Sequence, residues 1–284
     1  MAVSEAVAAR PRGVLRQYVR EHHGYRQRAV EPAQHLGMPS PYLTVIFTLH
    51  EPLEIARHVD PRQSPGTYSA MVGGLHSSPA LIVHDGAQSG IQLQLSPLAA
   101  RPLAGLPAGE LASVDVAAEE ILGPLATQVS ERIRAADDWS GRFAVLDELL
   151  GAALDVERTV PDEVARAWAL LLRSGGTVPV RDVARDVGWS ERHLSAQFTR
   201  EIGLRPKLAA RVIRFHRARR VLQRNVGAGR PNITGAAAEC GYFDQAHLIR
   251  DWQQFTGLSP TEWIAHEFRN FQVTGVKDPT SSTA

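Results

Sequence analysis

Apolar and polar positions change their period along this chain. Residues 42–49 (YLTVIFTL) form a β-branched and aromatic run bracketed by Pro41 and Pro52, and 80–83 (ALIV) form a second such run. Residues 91–95 (IQLQL) alternate with the period of two expected of a half-buried strand. Turn residues separate these runs: Ser64-Pro65-Gly66, Gly73-Gly74 and Asp85-Gly86. After Ser96-Pro97 the character shifts. Residues 98–125 mix Leu, Ala and Pro in a helical or irregular way, and 127–136 and 139–154 place Val129 and Ile133, then Phe143, Leu146, Leu149 and Leu150, at helical spacing. These two helices fit plain packing on a β-domain and a dimer interface equally well. Residues 156–161 look like a linker. Beyond it nearly everything reads as helix: Asp162 is expected to cap a first one, striped by Val164, Trp168, Leu171 and Leu172 and stopped at Ser174-Gly175-Gly176. The polar residues 273–284 are expected to be a disordered tail.

The helical half contains an internal repeat. One copy places Val180, Ala184, Gly188, Trp189, Ser190, Leu194 and Phe198 ahead of Gly203-Leu204-Arg205-Pro206. The other places Ile233, Ala237, Gly241, Tyr242, Asp244, Leu248 and Trp252 ahead of Gly257-Leu258-Ser259-Pro260, with one extra residue in its turn. Each position answers a physical need. Gly188 and Gly241 let the chain leave a helix with positive φ. Ala184 and Ala237 allow a second helix to cross the first closely, which a larger side chain would prevent. Ser190 and Asp244 are N-caps, and Leu194/Phe198 and Leu248/Trp252 are i, i+4 pairs that face a core. A plain helical bundle does not require this turn, this alanine and this spacing twice over. The repeat therefore predicts two helix-turn-helix units, at about 178–206 and 231–260.

Charge supports the reading once it is divided. The formal net charge is +1, but residues 1–160 hold 13 Lys/Arg against 18 Asp/Glu, whereas 161–272 hold 17 against 11. A basic half suits a polyanionic partner. Within it, residues 205–224 carry eight basic residues and no acid, with Ala210, Ile213, Ala218, Val221 and Leu222 at helical spacing. A single cysteine, Cys240, excludes an intramolecular disulfide framework and a cysteine-based zinc cluster; its position favours a small core residue over a reactive thiol. With no apolar run able to span a membrane and no secretory signature at the N-terminus, a cytoplasmic protein without membrane contact is expected.

The second repeat, ITGAAAECGYFDQAHLIRDWQQFTGLSPTEW over 233–263, resembles the signature of the AraC/XylS family of bacterial regulators, with its Cys-Gly-aromatic turn, Asp-Gln-Xaa-His and Phe-Thr-Gly-Leu-Ser-Pro. The likeness extends over about 110 residues and is looser in the first unit; Phe243 departs from the small polar residue often found there. It implies an α+β multidomain protein: a β-rich N-terminal effector or dimerisation domain with trailing helices over 1–158, then an all-α DNA-binding domain over 159–272 whose two units are joined by a long helix. The resemblance also implies a transcription regulator that is not an enzyme, bound to double-stranded DNA. A small-molecule effector, a homodimer and, for an activator, RNA polymerase are the other partners it suggests; no cofactor or metal is expected.

In a helix-turn-helix the second helix lies in the major groove with its N-terminal part against base edges. At about 100° per residue, the outward faces carry Arg192, Ser195, Ala196 and Thr199 in the first unit, and Ala246, Ile249, Arg250 and Gln253 in the second, with Glu191 and Gln245 opening each helix. The expected base contacts are Glu191, Arg192, Ser195, Ala196, Gln245, Ala246 and Arg250. Arg192 and Arg250 can grip guanine O6 and N7, and Gln245 suits adenine. Thr199, Lys207, Arg214, His247 and Gln253 are expected at the DNA backbone. The long basic helix would hold both readers in successive major grooves, about 34 Å apart.

The first half names no ligand. Its segment 96–111 (SPLAARPLAGLPAGEL) resembles a pattern found in one branch of the family. An enzyme with a DNA-binding appendage is the rival of a different class. A metal-dependent cupin would need histidines and a carboxylate set across adjacent strands; His50, His58, His76 and His84 form no His-Xaa-His pair. A DNA-alkyl acceptor would need a nucleophilic cysteine in the first half, which has none. A regulator that only dimerises through its first half stays as open as one that answers a ligand.

Overall fold

The computed structural model describes residues 3–266. Among the described residues ten strands form two antiparallel sheets. The larger has the order β1 (Val3–Ala9), β2 (Val19–Arg28), β9 (Gln88–Leu95), β4 (Leu43–Thr48), β7 (Ala70–Gly73) and β10 (Asp115–Ala117). The smaller runs β3 (Ala33–Gly37), β8 (Ala80–His84), β5 (Leu53–Arg57) and β6 (Gly66–Tyr68). The three runs read as strands are β4, β8 and β9. The others lacked a legible signal: β2, the longest, has the polar sequence VREHHGYRQR.

Strand β4 explains the packing. Its run without alternation is buried on both faces: Val45 and Phe47 enter the main core, while Ile46 joins Met71 and, from the smaller sheet, Leu53, Ile55, Ala80 and Ile82. Two short helices, α1 (Ala100–Ala104) and α2 (Ala118–Leu122), lead to α3 (Pro124–Ala135) and α4 (Trp139–Ala153). Val129, Ile133, Phe143, Leu146 and Leu150 send their apolar stripe into the main core. The ring of Trp139 lies where a Cβ on Gly24 would sit, so glycine alone fits at that point of β2. His22 Nε2, buried, lies 2.9 Å from Asp147 Oδ1 and ties α4 to the same strand.

Helices α5 (Asp162–Arg173), α6 (Val180–Asp186), α7 (Glu191–Ile202), α8 (Pro206–Gly227), α9 (Ile233–Glu239) and α10 (Gln245–Thr256) form the second part, and residues 260–266 are helical too. Asp162 does not cap α5: it is already the first helical residue, and Pro161 precedes it in extended conformation without a side-chain cap. Its carboxylate, with that of Glu163, instead complements the positive end of the helix dipole. The suggested disordered tail, 273–284, lies outside the described residues.

Candidate nucleic-acid interface

Each unit is a helix, a turn of four residues in the first and five in the second, and a longer helix crossing the first. Gly188 has φ +75° and Gly241 φ +74°, the left-handed conformation that the turn requires. At Gly241 a Cβ would also run into the methyl of Thr177. Ala184 and Ala237 are buried where the helices cross. Ser190 Oγ accepts from His193 N at 3.2 Å and Asp244 Oδ1 from His247 N at 2.6 Å, so both second helices start on a capped turn. Asn232 caps α9 in the same way through Gly235 N, 2.7 Å. Leu194, Phe198, Leu248 and Trp252 are fully buried. Trp168 lies tilted against Phe198, and Phe215 of α8 meets both Trp252 and Phe255, which seats each second helix on its neighbours.

The outward faces carry the side chains named from the sequence. Glu191, Arg192 and Ala196 are exposed on α7 and Ser195 is half-buried; Gln245, Ala246, Arg250 and Gln253 are exposed on α10. An open cleft runs between the units, lined by Arg181, Lys207, Arg211, Arg214, His247 and Arg250 among others. Several of these groups are also engaged within the protein. Gln245 Oε1 accepts from Thr234 Oγ1 at 2.6 Å. The His247 ring meets Tyr242 edge-on, with centroids 5.1 Å apart. Thr199 is half-buried, its main chain against a segment of the first domain rather than open to solvent.

The basic helix α8 divides its labour in a way its charge pattern does not reveal. Arg211 donates to buried Asp251 Oδ1 (2.7 and 3.1 Å) and to Gln254, and lies 5.0 Å over the Phe255 ring. Arg214 reaches Gly241 O at 3.5 Å and lies over Tyr242, whose hydroxyl burial pushes far above its ordinary range. Arg224 pairs with Glu239. Arg211 and Arg214 hold the second unit to α8, whereas Arg224, paired at the surface, is exposed like Arg205, Lys207, Arg217 and Arg220. Phe243 is 93% exposed, directly before the Asp244 cap. Cys240 is buried, and desolvation pushes its thiol up to about 11.

In the first domain three of the histidines weighed as metal ligands are engaged by other polar groups of the chain. His58 Nδ1 lies 2.8 Å from Asp115 Oδ2, and His76 Nδ1 lies 2.6 Å from Ser78 O. His84 Nδ1 accepts from Gly86 N at 3.2 Å. Among the described residues no three His, Cys, Asp or Glu side chains are grouped as a metal ion would need, and no helix is long and apolar enough to cross a membrane.

Two turns of this kind, each presenting the start of a capped helix beside a basic cleft, define a double helix-turn-helix domain. Residues 183–266 match the family model described as a helix-turn-helix domain. A stretch of 71 residues is 34% identical to the HTH-type transcriptional regulator YbfI of Bacillus subtilis (strain 168), covering 25% of this chain and 24% of that protein, so the likeness spans about a quarter of the relative's length. Over both domains the fold is similar to that of ToxT from Vibrio cholerae O395, at 11% identity and TM-score 0.50, covering 90% of this chain and 98% of that one. A second structure of ToxT, at 1.65 Å resolution, gives TM-score 0.51 and 11% identity over 86% of this chain and 97% of that one. The C-terminal part of the chain is an AraC-type helix-turn-helix domain.

Proposed function

We propose that the protein is a sequence-specific transcription regulator that reads two successive major grooves of duplex DNA, under control of its β-rich first domain. The observation that carries this is the pair of capped, outward-facing helix starts, α7 and α10, fixed on one helix and flanked by cationic side chains. Arg192 and Arg250 grip guanine edges and Gln245, once released from Thr234, reads adenine. Glu191, Ser195, Ala196 and Ala246 supply the remaining base-edge contacts. Lys207, His247 and Gln253 meet phosphates, and Arg214 does so from a guanidinium that also holds the second turn. The first domain senses a small molecule, forms a homodimer, or both, and an activator would pass the signal to RNA polymerase.

Selection of bound duplexes from a random pool by the full-length chain tests this. The expected result is a bipartite site whose affinity falls steeply with salt, because phosphate contacts release counterions. Arg250→Ala should relax preference at one position of one half-site. Binding without sequence preference, or with a flat salt dependence, would defeat the proposal.

A further inference from the structure

The segment 96–111, singled out in the sequence as a recurring pattern, has its place at the junction of the two domains. Its first residues are fastened to the larger sheet: Ser96 N donates to Tyr18 O at 2.6 Å. Its end is fastened there too, since Gly74 N donates to Val114 O at 3.0 Å and Ser113 N to Leu75 O at 3.0 Å. Between these anchors, Pro97–Ala99 and the 3₁₀ turn Ala108–Leu111 pack on α7.

The contacts concentrate on the last turn of that helix. Arg101 donates Nε to Glu201 Oε2 at 2.6 Å and Nη2 to Oε1 at 2.9 Å, a bidentate pair, and the Glu201 side chain is fully buried. Arg200 adds a third donor to the same carboxylate at 3.0 Å. Together they hold the Glu201 carboxyl below its ordinary range against the opposing effect of burial. Gly109 lies so close that any Cβ on it would strike the carbonyl oxygens of Arg200 and, at 2.8 Å, Thr199. Both carbonyls belong to the last turn of α7, where Thr199 O already accepts from Gly203 N at 2.9 Å. Gly203, the left-handed C-cap of α7, would place a Cβ 3.3 Å from both Ala108 O and the Ala112 methyl. The motif's Arg and second Gly are thus the residues this fit requires.

We propose that segment 97–111 is the coupling element through which the first domain sets the pose of the first recognition helix, with Arg101 and Gly109 as its positioning residues. The gripped end of α7 lies opposite the end that meets base edges. A 12-residue helix is about 18 Å long, so a tilt of roughly 10° at the gripped end carries the reading end about 3 Å. That displacement exceeds what a hydrogen bond tolerates. The second unit is seated on α8 through Arg211, Arg214 and Phe215 instead. A change in the first domain therefore re-aims the reader of one half-site while the second reader stays anchored. This deepens the DNA-reading proposal and rests on it.

The test is hydroxyl-radical footprinting of the full chain on a duplex chosen by selection, with Arg101→Ala and Gly109→Leu. Both variants should lose protection over the half-site of the first unit and keep it over the second, with overall affinity down about tenfold or more. On a duplex whose first half-site is scrambled, wild type and variants should bind alike. Equal loss over both halves, or unchanged protection, overturns the coupling. If neither variant folds, wild-type hydrogen exchange decides: peptides over 97–111 should gain protection on the intact site and not on the scrambled one, and no difference overturns it. Failure of the wild type to bind any selected duplex would instead defeat the DNA-reading proposal.

Discussion

Arg211 separates two readings of the basic helix. In Arg211→Ala the guanidinium leaves Asp251 Oδ1, on a side chain that is 5% exposed and whose Oδ2 already has no hydrogen-bond partner. At 2.7 Å and an effective dielectric near 20, the lost attraction is roughly 6 kcal/mol before solvation is counted. Breaking a buried pair costs about 3–5 kcal/mol net. Arg211 is itself 24% exposed, so the lower end, about 3 kcal/mol, is expected. Native-state hydrogen exchange over α10 is the suitable assay, because it reports local opening in a chain of two domains for which one global transition is not assured. The α10 amides should lose protection by that amount while β4 and β9 keep theirs. In the double variant Arg211→Met/Asp251→Leu much of the loss should return, since no charge is left buried alone. A pure phosphate ligand would behave otherwise: protection would stay and the salt slope of DNA binding would fall by about one. That pattern would refute the structural role given to Arg211.

Asp244→Ala removes the cap of α10 and should cost about 1 kcal/mol, read as lower protection in its first turn and weaker binding at the second half-site; unchanged exchange there would rule the cap out. Cys240, with its thiol pushed up to about 11, should resist alkylation at pH 8 until denaturant is added, and rapid modification of the native chain would contradict its burial. His216 is buried between the domains against Tyr42, and burial, then Arg219, Arg220 and Arg20, hold its pKa well below the ordinary histidine value. The folded chain therefore favours neutral His216, so this contribution is present above about pH 6.5 and lost as pH falls below it, at no more than about 1.4 kcal/mol per pH unit. Urea midpoints measured at pH 7.5 and 5.5 should show a drop that His216→Leu reduces, and equal drops in both proteins would argue against it.

What the sequence disclosed depended on how local its cause was. The two turns were legible because left-handed glycines, small crossing alanines and polar caps are demanded residue by residue within 30 positions of chain. Strand β4 was legible because burial on both faces leaves a continuous apolar run. Strand β2 was not: its inward positions include His22 and Gly24, chosen by Asp147 and the Trp139 ring more than a hundred residues away. Asp162 misled because a carboxylate suits both the cap and the first turn. The outward faces of α7 and α10 followed from helical geometry, yet the partial withdrawal of Thr199 did not, since the segment that covers it belongs to another domain. Likewise the inward duties of Arg211 and Arg214 were invisible, as their partners lie 27 to 40 residues on.

Helix α8 spans 22 residues, about 33 Å of continuous backbone, and the second reader is seated on its first half through Arg211, Arg214 and Phe215. Its stiffness gives insertions and substitutions in target DNA unequal consequences. Exchanging a base pair removes one contact and weakens binding by a step. Inserting one between the half-sites rotates the second by about 35° around the duplex axis, and a helix cannot twist to follow. Operators for this protein should therefore drift in letters while keeping their length, and a search for them should allow mismatches and forbid gaps.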